Sequence, residues 1–185
     1  MSLFEAAIRP LLVIKAKKIN ECCGEFLKGK VLDFGAGRCY IAEKLEKNKL
    51  DVTCLDVNDL SQTGKKVIVY DGKKVPFKDN QFDTALAAYV LHHCEEPEEM
   101  LKEVARVTKG NIVIFEDTKP SAFVNMMDFF SNRLRGVKTP FKFRTEKEWG
   151  SVFKKLDLRI VAVKHGVEKE WFYPLVEHTM IVVRK

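Results

Sequence analysis

The stretch Val31-Leu32-Asp33-Phe34-Gly35-Ala36-Gly37-Arg38-Cys39-Tyr40 constrains the fold more than any other. A short, mostly apolar run stops at a pair of glycines, and the pattern then changes to helical spacing, with Ile41, Ala42 and Leu45 on one face of residues 39–47. Gly35 permits a tight turn, and Gly37 lets a ligand approach the backbone closely. A strand that turns sharply into a helix opens a βα unit, and such units pack into a parallel sheet with helices on its faces.

The rest of the chain extends that pattern. Residues 2–27 carry Leu3, Phe4, Ala7, Ile8, Leu11 and Leu12 at helical spacing, continued by Ile19, Cys22, Cys23 and Phe26, and Pro10 is expected to break this region into two helices. Strands are expected at 50–55, 66–70, 82–88 and 111–115. Pro97 opens a helix whose first turn is crowded with Glu95, Glu96, Glu98 and Glu99, which suits the positive end of its dipole, and which ends at Lys109-Gly110. A further helix is expected at 145–155 and two closing strands at 157–164 and 178–183. The link from Asp56 to Lys65 is too short for a full crossover helix. The expected fold is α/β: a Rossmann-like, doubly wound, mostly parallel sheet with an antiparallel pair at its C-terminal edge. With no repeat or linker, the 185 residues read as one domain, with 1–27 as a helical cap and 117–144 as a lid-like insertion.

Composition removes several classes. With 46% hydrophobic residues and only 10 Gly and 6 Pro, the chain is neither disordered nor fibrous. Pro10 to Ile14 is too short to span a membrane, and no secretion signal pattern is expected at the start. The excess of 32 basic over 26 acidic residues is dispersed and reads as a solvated, lysine-rich surface. Five cysteines without metal-finger spacing read as free thiols in a reducing cytoplasm, with no metal site. Nothing in the sequence indicates an oligomeric state.

The turn has a carboxylate on either side. Asp56 ends the second strand, where it can accept hydrogen bonds from both hydroxyls of a ribose. A dinucleotide fingerprint needs a third glycine where this chain has Tyr40, which argues against NAD. Asp33, just before the turn, would repel a pyrophosphate and suits a ligand with a positive ammonium group. Loop and acids together indicate a nucleoside-bearing cofactor other than a dinucleotide.

Asp33-Phe34-Gly35-Ala36-Gly37 resembles the first motif of class I S-adenosylmethionine-dependent methyltransferases of the small-molecule, type 11 group. The resemblance continues in order through Asp56, through Asp71-Gly72 with Val75-Pro76-Phe77, through Phe82-Asp83, Leu91-His92-His93 and 101–107, to Thr145–Trp149. It covers most of residues 30–160. It implies S-adenosylmethionine as cofactor and S-adenosylhomocysteine as product. The implied binding residues are Asp33, Gly35, Ala36, Gly37, Asp56, Val57, Asp71, Gly72 and Tyr89, with the acid at 33 toward the amino group and that at 71 toward the adenine. The family often has a third glycine where Cys39 stands.

Methyl transfer from a sulfonium is an in-line displacement of an activated group, so positioning is the protein's main task. A hydroxyl or carbon acceptor also needs a base, for which His92 and His93 are candidates, with Tyr89 lining the pocket. The expected function is methyl transfer to a small-molecule acceptor. Two alternatives compete. Arg133, Arg135, Lys138, Lys142 and Arg144, interleaved with Phe141 and Phe143, could grip RNA instead. A non-catalytic module that binds the cofactor or a partner would keep the glycine loop and show no turnover.

Overall fold

The structure, a computed structural model, describes residues 3–118, 142–167 and 178–185, with the backbone alone over 3–7. Its framework is a seven-stranded sheet built from β1 (Lys30–Phe34), β2 (Asp51–Asp56), β3 (Val67–Val69), β4 (Thr84–Ala88), β5 (Ile112–Asp117), β6 (Arg159–His165) and β7 (His178–Arg184). The spatial order is β3-β2-β1-β4-β5-β7-β6. The first five strands pair in parallel, and β7 runs antiparallel between β5 and β6. β1 and β4 are central and buried on both faces, which suits their mostly apolar runs, interrupted in β1 by the buried Asp33.

Among the described residues four α-helices cover the sheet: α1 (Leu3–Cys23), α2 (Tyr40–Lys47), α3 (Pro97–Val107) and α4 (Glu146–Lys155). Pro97 begins α3 with Glu98 and Glu99 in its first turn. Thr145 starts α4 with a capping box, its hydroxyl accepting from the Glu148 amide while the Glu148 carboxylate accepts from the Thr145 amide. The strands' alternating side chains divide the core. Leu32, Phe34, Ala85, Ala87, Ile112 and Ile114 meet α3 and α4 on one face. Val31, Leu86, Val113, Phe115, Met180 and Val182 meet α1 on the other, through Ile19 and Cys23.

Two expectations need correction. Pro10 does not divide the first helix, because α1 is continuous through it. Pro10 is exposed, so the carbonyl it leaves without a donor can turn to water at little cost. The fourth strand begins at Thr84, two residues late, because Phe82 makes only an isolated bridge to Thr108. The link from β2 to β3 contains no helix, as expected from its length. Of the lid-like insertion, residues 119–141 lie outside the described residues.

Candidate functional site

The carboxyl ends of β1 and β2 meet at the glycine turn. The amides of Gly35 and Ala36 both donate to the Leu55 carbonyl, at 2.8 and 3.2 Å, pinning the turn to β2. Gly35 takes φ +74°, and a side chain there would collide with Val90. Gly37 takes φ +50° and faces open space. Its amide donates to Asp56 Oδ2 at 2.8 Å, and Asp56 Oδ1 accepts from the Asn58 amide at 3.3 Å. The ribose-type acid is thus held against the glycine loop and immobilised from two sides. Cys39 adopts a left-handed φ of 63°, the conformation that glycine takes without strain, which accounts for the residue preference at that position.

Asp33 is the unusual group. It lies in the middle of the sheet at 1% exposure, and its Oδ2 has no hydrogen-bond partner among the described residues. Burial, reinforced by the nearby Cys39 and Asp56, pushes its carboxyl up to about 8. A buried acid without a partner is costly unless a cation reaches it, so this position could hold a positive ligand group.

At the other end of the crevice, Val57 is 46% exposed directly after Asp56. Gly72, at φ +76°, lies against it closely enough that a β-carbon there would press on the valine. Asp71 Oδ1 accepts from the amides of Lys73 and Lys74, which holds its carboxyl below the usual range, and its Oδ2 remains for a ligand. Arg106 of α3 fixes the next part of this loop by donating to the carbonyls of Val75 and Phe77 and to Asp79 and Glu103. The sequence-predicted acids at 33, 56 and 71 lie toward the carboxyl ends of β1, β2 and β3, Asp33 buried behind the glycine turn and Asp56 and Asp71 on either side of the exposed Val57. An adenosyl group with a cationic amino tail fits this set: an acid for the sugar, an acid for the amino group, and an apolar surface beside a carboxylate for the base.

Beyond β4 the backbone turns at Tyr89 with φ +56° and enters a 3-10 turn, Leu91–His93. His92 is 2% exposed, and its Nδ1 lies 2.5 Å from Glu116 Oε2. Glu116 Oε1 accepts from the Leu91 amide. The His92 ring stacks on Phe143 and touches His93. His93 is half-buried beside it.

Several members of this edge were not evident in the sequence. Val90 seats Gly35, and Glu116 locks His92. Asp117 Oδ1 lies 2.6 Å from His178 Nδ1. Two acids closing the apolar run Ile112–Phe115 are a usable signal, since nothing else in that strand is polar. His178 offered none, because only the antiparallel insertion of β7 brings it to Asp117.

Asp83 belongs elsewhere: it accepts from the Lys30 amide and pairs with Lys109 at the opposite edge of the sheet. Of the basic cluster, Arg133, Arg135 and Lys138 lie outside the described residues. Lys142 donates to the Glu95 carbonyl and pairs with Glu96, and Arg144 pairs with Glu98 and lies over Trp149. Among the described residues no group of three or more His, Cys, Asp or Glu side chains is placed to hold a metal, and no helix is long and apolar enough to cross a membrane. The five cysteines are free thiols.

The chain is similar to known methyltransferases. A family profile described as a methyltransferase domain matches residues 32–115. The chain is 29% identical over 146 residues to an uncharacterized protein of Methanocaldococcus jannaschii, covering 77% of this chain and 71% of that one. It is 34% identical over 101 residues to a demethylmenaquinone methyltransferase of Renibacterium salmoninarum, covering 50% of this chain and 43% of the relative, and so spans less than half of that enzyme's length. Among solved structures, a SAM-dependent methyltransferase of Methanosarcina mazei superposes with a TM-score of 0.67 at 20% identity, covering 89% of this chain and 96% of that one.

Proposed function

Because the chain belongs to the class I S-adenosylmethionine-dependent methyltransferases, we propose that it transfers a methyl group from that cofactor to a small-molecule acceptor. The observation that carries the proposal is the Asp56–Gly37 hydrogen bond with the buried, partnerless Asp33 behind the same loop. When bound, S-adenosylmethionine supplies an activated methyl group on a positively charged sulfur. Asp56 offers the lone pairs that Gly37 and Asn58 leave unused to the two ribose hydroxyls. Val57 supports the purine, and Asp71 Oδ2 accepts from its amino group. Asp33 receives the ammonium of the amino-acid tail, and that cation restores the ionised form which burial opposes.

His92 acts as a positioning residue in this reading. Its buried tie to Glu116 fixes the turn after β4, while Tyr89 and His93 line the side from which the acceptor approaches. A small acceptor is favoured over RNA because the described cations of the basic cluster are engaged by acids of α3 and its approach. The relative named for demethylmenaquinone supports the same class. Free thiols throughout suit a reducing cytoplasm.

Calorimetry with S-adenosylmethionine tests the proposal. Binding in the micromolar range is expected, with Asp56→Ala weakening it at least about tenfold, equivalent to roughly 1.4 kcal/mol. Folded protein that takes up no cofactor would refute it. Binding without turnover across amine, thiol, phenol and carbon-acid acceptors would leave a non-catalytic binding module.

A further inference from the structure

We propose that His178 and Asp117 form the general-base pair of this enzyme, and that its acceptor is therefore an oxygen or carbon acid, such as a phenol or enol. The proposal rests on the methyltransferase reading and adds the proton-transfer group and the acceptor chemistry to it.

The placement comes from the sheet. Asp117 is the last residue of β5, His178 is the first of β7, and the two are direct partners in the antiparallel ladder. Neighbouring side chains on a strand point to opposite faces. Glu116 serves the α3–α4 face, where it holds Leu91 and His92. Asp117 and His178 thus belong to the α1 face, in step with Phe115 and Met180. Asp33 shares that face, in step with Val31. The pair therefore occupies the same face and the same edge of the sheet as the acid assigned to the cofactor's ammonium. Only β4 separates β1 from β5, a lateral distance of about 10 Å, and the register sets Asp117 four residues, roughly 13 Å, beyond the level of Asp33. The pair therefore stands past the cofactor loop, on the side assigned here to the acceptor.

The chemistry of the pair fits the role. The Asp117 side chain is 6% exposed and that of His178 15%, so the carboxylate is sheltered while the ring keeps some access to solvent. Asp117 Oδ1 stands at contact distance from Nδ1 without the alignment of a hydrogen bond, and the Nε2 lone pair is the one offered to a proton. Tyr89 meets the His178 ring edge to face at 4.8 Å, and Lys15 of α1 sits over the Tyr89 ring at 3.5 Å. Tyr89 holds a left-handed backbone, a strain that non-glycine residues keep mainly at functional sites. His92, by contrast, is fully enclosed by Phe143, His93 and Glu116, as a fixed support would be.

In the reaction Nε2 takes the acceptor's O–H or C–H proton. The pair of electrons released forms the new bond to the methyl carbon. The carbon–sulfur bond breaks with its pair remaining on sulfur, giving a neutral thioether. The imidazolium is held by the Asp117 carboxylate until it returns the proton to water. A neutral amine or a thiolate would need no such base.

The test uses intact protein, S-adenosylhomocysteine and p-nitrophenol, at a pH where the free phenol is mostly neutral. Wild-type protein saturated with S-adenosylhomocysteine is expected to bind the phenol as its coloured phenolate. His178→Gln and Asp117→Asn are each expected to lower the phenolate signal about tenfold at equal occupancy, with S-adenosylhomocysteine affinity within about twofold of wild type as the check on folding. The proposal is overturned if wild-type protein binds the phenol only in neutral form or not at all, or if both variants ionise it as wild type does. If S-adenosylhomocysteine itself fails to bind, the methyltransferase reading falls, and phenol ionisation in the unliganded protein still decides the fate of the pair.

Discussion

Gly35 and Gly37 share a left-handed backbone but not a neighbourhood, and the difference separates fold from function. At Gly35 a methyl group would strike Val90, so Gly35→Ala is expected to cost about 2 kcal/mol or more, read by urea denaturation. At Gly37 the space is open, so Gly37→Ala should cost only about 1 kcal/mol through its backbone. It should nevertheless weaken S-adenosylmethionine binding about tenfold or more, because the added methyl stands where the ligand must approach. Asp33 adds a pH signature. With its carboxyl pushed up to about 8, it must be deprotonated to pair with the ammonium, so affinity should rise between about pH 6 and 7.5, before the ligand's own amine begins to lose its proton. Asp33→Asn should bind more weakly and without that rise, and calorimetry across the range checks both. These residues were legible in the sequence because glycine and aspartate at a strand end carry their meaning locally. His178 was not, since its partner lies in another strand and the contact exists only after β7 inserts.

Among the elements, α3 both covers the sheet and secures the crevice. Arg106 reaches from its last turn to two carbonyls and a carboxylate in the segment after Asp71, and holds Glu103 in the ionised form, below its usual range. Arg106→Ala should lower stability by about 2 kcal/mol and loosen that loop. S-adenosylmethionine affinity should then fall more than affinity for methionine alone, because the adenosyl end is the one disturbed; a competition titration with the two ligands checks this. The strands and helices of the first half were legible because each carries its own period and punctuation, as Pro97 and its acids do for α3. Pro10 misled because a local rule for helix breaking ignores exposure: where the freed carbonyl meets water, the helix can continue. The late start of β4 was hidden for a related reason, since Phe82 is buried in the core without joining the ladder.

For the whole molecule, the sheet gathers the acids at 33, 56 and 117 and the histidine at 178 on one edge, and this concentration costs stability. Asp33 binds its proton more tightly folded than unfolded, its ordinary value being 3.8 against about 8 in the fold. Between those values the folded state holds more protons than the unfolded one, so unliganded stability should fall as pH rises through that window and level off above it. Asp33→Asn should remove this contribution and exceed wild type at pH 8 by on the order of 1 kcal/mol or more, measured by urea denaturation at pH 5 and 8. A ligand cation at Asp33 should restore the loss, so saturating S-adenosylmethionine should stabilise the wild type more than the variant. The most direct measurement of the central claim is a crystal structure of the protein grown with S-adenosylhomocysteine. The ribose hydroxyls are expected on Asp56, the purine along Val57 and the amino group directed to Asp33. A ligand bound elsewhere, or a crevice closed by side chains between Gly37 and Asp56, would contradict it.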